Sequence, residues 1–138
     1  MNGTNMWFDD ILCNATAYNA PWGTNWVQNT DGFDAMDMNN VKLTNFVYQG
    51  GDDCIAIKPR SYNFFAQNVT CRGGNGVAIG SLGQYLEDSS VANVIVKDAL
   101  IETYNKDMEN GAYIKTWVGA LVPQTGYESD YLPRGGGW

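Results

Sequence analysis

Asn40-Val41-Lys42-Leu43-Thr44-Asn45 is the stretch that decides the fold: an asparagine, a short apolar-rich run, and a second asparagine five residues after the first. The same frame occurs as Asn5-Met6-Trp7-Phe8-Asp9-Asp10, as Asn63-Phe64-Phe65-Ala66-Gln67-Asn68 and as Asn93-Val94-Ile95-Val96-Lys97-Asp98. A second short apolar run accompanies each copy, at Phe33 to Met36, Cys54 to Ile57, Val77 to Ile79, and Tyr113-Ile114. These runs open after turns rich in Gly, Asn or Asp, such as Gly50-Gly51-Asp52-Asp53 and Gly73-Gly74-Asn75-Gly76.

Short runs rich in Val, Ile and Phe with turn residues on both sides predict β-strands of about four residues each. No stretch sustains a 3.6-residue apolar period between caps, so helix should be scarce. Self-similarity at a period of about 22 to 35 residues predicts a solenoid of parallel strands. The expected fold is all-β, a partial parallel β-helix, with residues 1–138 forming a single partial domain. In such a coil one Asn per turn stacks on its neighbour in a ladder that satisfies side-chain amides along the axis. The competing architecture is an antiparallel sandwich with coincidental Asn spacing, although sandwiches place turn signals every 8–12 residues or so without long-range self-similarity.

A chain of 138 residues is one domain or part of one, and 44% hydrophobic with 13% aromatic residues permits a buried core. No run of apolar residues is long enough for a membrane span. The net charge of −7 argues against nucleic acid and anionic membranes as partners. The absence of histidine excludes, within this chain, Ser-His-Asp and Cys-His catalysis and any His-ligated metal site. Met1-Asn2-Gly3-Thr4-Asn5 lacks the basic and apolar regions of a signal peptide, so a secreted parent is expected to carry its signal upstream. Three sequons, at Asn2, Asn14 and Asn68, are candidate glycosylation sites and lean toward the secretory pathway. Cys13, Cys54 and Cys71 are too few and scattered for a structural zinc site. In an oxidising compartment we read Cys54 and Cys71 as a disulfide, and Cys13 as free or paired elsewhere.

Aligning the second strands puts Asp31, Asp53 and Asn75 in one column, 22 residues apart. Residues in one column of a parallel solenoid stack about 4.8 Å apart. Asp31 and Asp53 should therefore project from adjacent rungs on one face, with Asp52 beside them. Like charges that close cannot all stay ionised, so at least one carboxyl pKa should rise. A protonated carboxyl beside ionised ones is the combination that glycosidic cleavage uses: one protonates the leaving oxygen while another activates water. The same three residues could instead be ordinary turn aspartates or hold calcium, although no EF-hand loop is present.

The motifs carry a resemblance. Asn29-Thr30-Asp31, Gly51-Asp52-Asp53 and Tyr113-Ile114-Lys115 resemble three of the four signature motifs of the polygalacturonases, glycoside hydrolase family 28, and Gly74-Asn75-Gly76 stands where that family has Gly-His-Gly. Order and approximate spacing agree from about Asn5 to Trp138. The run Gln49 to Lys58 is the most specific part, and Lys115-Thr116-Trp117-Val118-Gly119 is most similar to the fungal exo-acting members. The resemblance implies a right-handed parallel β-helix from a secreted, extracellular pectin hydrolase, with the N-terminal coils and their cap outside this stretch. It implies a glycosidase that needs neither cofactor nor metal. Such an enzyme cleaves α-1,4 galacturonosyl linkages of a pectic polysaccharide or oligogalacturonide, in exo fashion and with inversion, as a monomer when full length. Asp52 would be the general acid, and Asp31 and Asp53 would position and deprotonate the attacking water. Lys115 would hold a substrate carboxylate, with Asn75, Tyr113 and Lys58 completing the substrate-binding set. The Cys54–Cys71 disulfide would pin the loop between the active-site strands.

Two positions depart from the family pattern. Asn75 replaces histidine and can make only neutral hydrogen bonds. Tyr113 replaces arginine and removes a bidentate carboxylate clamp, which suits a less charged sugar. These changes point to two alternatives: an exo-rhamnogalacturonase on the same scaffold, or a weakened or non-catalytic pectin-binding β-helix. Lys58, Arg60, Arg72 and Lys115 could form a positive groove on the acidic chain, and Trp22, Trp26 and Tyr48 are candidate sugar-stacking aromatics.

Overall fold

The computed structural model describes residues 2–17, 28–83, 90–103, 110–117, 120–124 and 127–134. Ten strands follow one another: β1 (Gly3–Asn14), β2 (Phe33–Ala35), β3 (Met38–Gln49), β4 (Ile55–Ile57), β5 (Ser61–Arg72), β6 (Val77–Leu82), β7 (Val91–Glu102), β8 (Ala112–Thr116), β9 (Ala120–Gln124) and β10 (Tyr127–Arg134). No helix occurs among the described residues. Eight strands form two four-stranded sheets, ordered β1-β3-β5-β7 and β2-β4-β6-β8, and β9 pairs with β10. Every pairing within the two larger sheets is parallel, which rules out the sandwich, and β9–β10 is an antiparallel pair. Each coil contributes one strand to each large sheet, so the chain is a partial parallel β-helix.

The predicted strand length needs correction. β1, β3, β5 and β7 are each 12 residues long rather than about four. The reason lies in the Asn frame. Asn5, Asn40, Asn63 and Asn93 have φ between 55° and 58°, and Asp10, Asn45, Asn68 and Asp98 have φ between 53° and 56°. The left-handed region costs most L-residues about 1–2 kcal/mol, and Asn and Asp are the side chains that tolerate it best. The frame is thus a pair of corners. The four residues between them, such as Val41 to Thr44, are one flat side of the coil, and the strand pairing resumes in the same register beyond each corner.

The corners also stack. Asn40 Nδ2 donates to Asn5 Oδ1 at 2.7 Å, Asn63 Nδ2 to Asn39 Oδ1 at 2.9 Å, and Asn93 Nδ2 to Asn63 Oδ1 at 2.9 Å. A second ladder runs from Asn68 Nδ2 to Asn45 Oδ1 at 2.8 Å and from Asn45 Nδ2 to Asp9 Oδ1 at 2.8 Å. The expected ladder therefore runs along two edges of the coil, with Asn39 and Asp9, each one residue before a corner, accepting at two of its steps.

Each corner shifts the inward parity by one residue. Inward positions in β3 fall at Met38, Val41, Leu43, Phe46 and Tyr48, and β5 repeats the rhythm at Ser61, Phe64, Ala66, Val69 and Cys71. Strict alternation holds only between corners. Phe33, two residues after Asp31, sits at the hub of the core. Its ring centroid lies 5.1 Å from Phe8, 6.2 Å from Phe46 and 6.1 Å from Phe64. Cys54 and Cys71 form the expected disulfide, joining the start of β4 to the end of β5. Cys13 is a free thiol that donates to Gly32 O at 3.5 Å.

The corner account separates backbone strain from hydrogen bonding at Asn63. Asn63→Ala should lower unfolding free energy by about 1–3 kcal/mol, because it loses the ladder bonds and forces Ala into the left-handed region. Asn63→Gly should cost less, since glycine accepts that φ freely. Urea unfolding of both variants tests this, and equal losses would contradict the corner role.

Candidate active site

The turns that close the coils carry the acidic residues. Gly32 N donates to Asp53 O at 2.8 Å and Phe33 N to Cys54 O at 3.1 Å, which ties the segment holding Asp31 to the turn holding Asp52 and Asp53. The following turn packs onto Asp52, where Asn75 N donates to Asp52 O at 3.2 Å. Gly74 has φ +68°, and a methyl group there would overlap the Asp52 backbone carbonyl, so both conformation and space require glycine. One carboxylate oxygen from each of Asp31, Asp52 and Asp53 lies within 4.8 Å of the others. The three predicted carboxylates come together.

Their environments differ. Asp53 is fully buried. Its Oδ1 accepts from the Tyr113 hydroxyl at 2.7 Å, and its Oδ2 pairs with Lys115 Nζ at 2.6 Å. Asp52 faces the cleft, and its Oδ1 and Oδ2 accept from the backbone N–H groups of Asp53 and Asn29. Asp31 lies 3.4 Å from Lys58 Nζ, which also pairs with Asp34 Oδ2 at 3.0 Å. Burial, the hydrogen bond to Asp34 and the negative charges of Asp34 and Asp52 push Asp31 up to about 7, with Lys58 opposing them. Burial lowers the Lys58 pKa, but Asp34 and Asp31 outweigh it and leave the ammonium above its ordinary value. Burial and then Asp53 hold the Tyr113 hydroxyl well above the usual tyrosine range, so it serves as a donor.

A cleft of about 340 Å³ opens over this patch. Its lining includes the polar Asn29, Asp31, Asp52, Lys58 and Lys115 and the more apolar Met36, Pro59 and Trp117. Asn75 meets the site through its backbone contact with Asp52, and Tyr113 turns toward Asp53 and an apolar hollow beside Val77 and Ile79. The four-residue positive groove reduces to Lys58 and Lys115. Arg60 pairs with Asp37, and Arg72 with Glu102 at 2.8 Å. Tyr48 is fully buried and cannot stack on a sugar, which corrects that expectation. Trp22 and Trp26 lie outside the described residues.

Sequence reasoning missed Asp34 and Trp117. Asp34 resembles any polar residue in a short strand. Trp117 follows Lys115 by two residues on one strand run, a spacing that puts both on one face, and its Nε1 is buried without a hydrogen-bond partner among the described residues. The three carboxylates could in principle approach a cation. Two ammonium groups already fill that electrostatic place, through the Asp53–Lys115 and Asp31–Lys58 pairs, so the donor set does not suit a metal ion.

The sequence profile of glycosyl hydrolases family 28 matches residues 1–128. A protein of Aspergillus niger provisionally named galacturan 1,4-alpha-galacturonidase C is 75% identical over 138 residues, covering 100% of this chain and 33% of that protein. A protein of the same provisional name from Neosartorya fischeri is 69% identical, covering 100% of this chain and 34% of that protein. A third, from Neosartorya fischeri and provisionally named exopolygalacturonase X, is 38% identical, covering 99% of this chain and 29% of that protein. The chain thus spans about a third of the length of the curated relatives it matches. No solved structure matches it.

The raised Asp31 pKa has a consequence for stability. A carboxyl with a higher pKa folded than unfolded stabilises the fold while protonated, and that contribution is lost as pH rises from about 4 to about 7. Asp31→Asn removes the titration. Relative to wild type, the variant should gain roughly 1–2 kcal/mol between pH 4 and pH 7.5 after solvent screening. Urea titrations at both pH values check this, and a pH-independent difference would sink it.

Proposed function

The chain belongs to glycosyl hydrolases family 28, and from that premise we propose that the whole protein hydrolyses α-1,4-linked galacturonan, releasing galacturonic acid from chain ends with inversion. The observation that carries the reading is three carboxylates clustered within 4.8 Å at a cleft that also holds two lysines. A polyanionic substrate meets local positive charge at Lys58 and Lys115 even though the chain carries −7 overall. Each ammonium has three donors, so it can engage a uronate carboxylate while keeping its aspartate partner.

In this reading Asp52, open to the cleft, protonates the glycosidic oxygen as the bond to the anomeric carbon breaks. Asp31 and Asp53 position the water, and Asp31 takes its proton as the water oxygen bonds to that carbon. Asp31 serves as base in the form of the cluster where it is ionised and the shared proton sits on Asp52, and its raised proton affinity then favours the transfer from water. Return of the proton from Asp31 to Asp52 across the cluster resets the site. Asp53, held by Tyr113 and Lys115, fixes the water's orientation. Trp117, Met36 and Pro59 offer an apolar wall for the sugar face. The Tyr113 hydroxyl is engaged with Asp53, so it is not a free recognition element for rhamnose. With the relatives' names, that favours galacturonan over rhamnogalacturonan. The disulfide and the exposed Asn2, Asn14 and Asn68 support an extracellular, glycosylated protein, monomeric when full length.

The test uses the full-length protein on defined oligogalacturonides and on rhamnogalacturonan, with products identified by mass. Monomeric galacturonic acid from the first substrate is expected, and Asp52→Asn should reduce its release by about 100- to 10,000-fold. A spread of oligomers would overturn exo action. Preferred cleavage of rhamnogalacturonan would overturn the substrate, and unsaturated products would overturn hydrolysis itself.

A further inference from the structure

We infer that Tyr48 is the positioning residue of this site: its buried hydroxyl bolts the segment that carries Asp31 to the turn that carries Asp52. The inference rests on the hydrolase reading above. Tyr48 lies on the inner face of β3, fully buried, in the column between Cys13 and Cys71. Its hydroxyl donates to Thr30 O at 2.9 Å and accepts from Asp52 N at 3.0 Å. One bond therefore ends on the residue before Asp31, and the other on the backbone of Asp52 itself. Burial lifts the hydroxyl pKa to about 12, so the donor proton stays in place across the working pH range.

The surroundings are cut to this ring. A methyl group at Gly32 would overlap the Tyr48 ring, and one at Gly50 would overlap its hydroxyl. Those two glycines flank the aspartates: Gly32 follows Asp31, and Gly50 precedes the Gly51-Asp52-Asp53 turn. Both segments thus give up side chains so that one phenol can lie between them. Inner-face neighbours in this part of the core, such as Phe46 and Val69, only fill volume, whereas Tyr48 adds a polar atom and places it where two turns need a partner. Misplacement of reacting groups by about 1 Å costs on the order of 100-fold in rate, so a bond that sets the spacing of Asp31 and Asp52 should act on turnover.

Tyr48→Phe keeps the ring and removes both hydrogen bonds. In the full-length enzyme its kcat on oligogalacturonide should fall about 10- to 100-fold with KM within about threefold of wild type, while far-ultraviolet circular dichroism is unchanged. A residue that merely filled the core would lower the folded fraction and leave kcat per folded molecule intact. Gly50→Ala presses on the same hydroxyl from the other side and should reproduce the kcat loss. It serves as the test if Tyr48→Phe does not fold. In the double variant the combined loss should be smaller than the product of the two. An active wild type with an equally active Tyr48→Phe overturns the inference alone. A wild type inert on every pectic substrate removes the hydrolase reading, and the inference with it.

Discussion

A side chain that accepts left-handed backbone without strain is scarce, and this fold places one at each of two corners in four successive rungs. Because Asn and Asp stand at those corners, each 12-residue strand bends twice while its hydrogen-bond ladder continues. The amides then bond to the corner above or below, so the residues that make the bend also hold the register. Register matters here beyond stability. A slip of one residue would send every inward side chain outward, and it would part Asp31 from Asp53, which meet only because Gly32 and Phe33 pair with the backbone of Asp53 and Cys54.

Gathering three carboxylates costs free energy through mutual repulsion, and the surrounding residues offset it in distinct ways. Asp53 is compensated by a lysine and a phenol. Asp52 is compensated by backbone N–H groups supplied by its own turn and by Asn29. Asp31 is paired with Lys58, although burial and Asp34 outweigh that pair and raise its pKa to about 7. The asymmetry follows from rung position. Asp53 sits at the floor, where β8 reaches it with Tyr113 and Lys115, whereas Asp31 is one rung further from those groups. Three identical side chains thereby acquire different partners and different burial from the coil alone.

The parts legible in the sequence are those with a period. The Asn frame exposed the solenoid, and the 22-residue interval put Asp31, Asp53 and Asn75 in one column. Strand length was not legible, because a left-handed Asn looks like a turn residue whether the ladder stops there or continues. Pairing partners were not legible either. Lys115 reads as a substrate clamp, yet it ends on Asp53, a contact set by β8 lying two rungs away. Tyr48 reads as a sugar platform because aromatic residues serve both roles. Its inward parity becomes visible only once Asn45 is known to be a corner, since that residue shifts the alternation by one.

The two departures from the family pattern acquire a physical meaning from this geometry. An arginine at position 113 would set a second cation against Asp53, beside Lys115. Tyr113 replaces that charge with a neutral donor on Oδ1 and leaves the lysine as the single cation bonded to Asp53 among the described residues. Asn75 reaches Asp52 through its main chain, so loss of the imidazole leaves that support intact while removing a group that titrates near neutrality. Among the described residues lining the cleft, Asp31 is a carboxyl whose pKa is raised toward neutrality. The two substitutions therefore change the groups around the carboxylates while leaving the cluster of Asp31, Asp52 and Asp53 assembled.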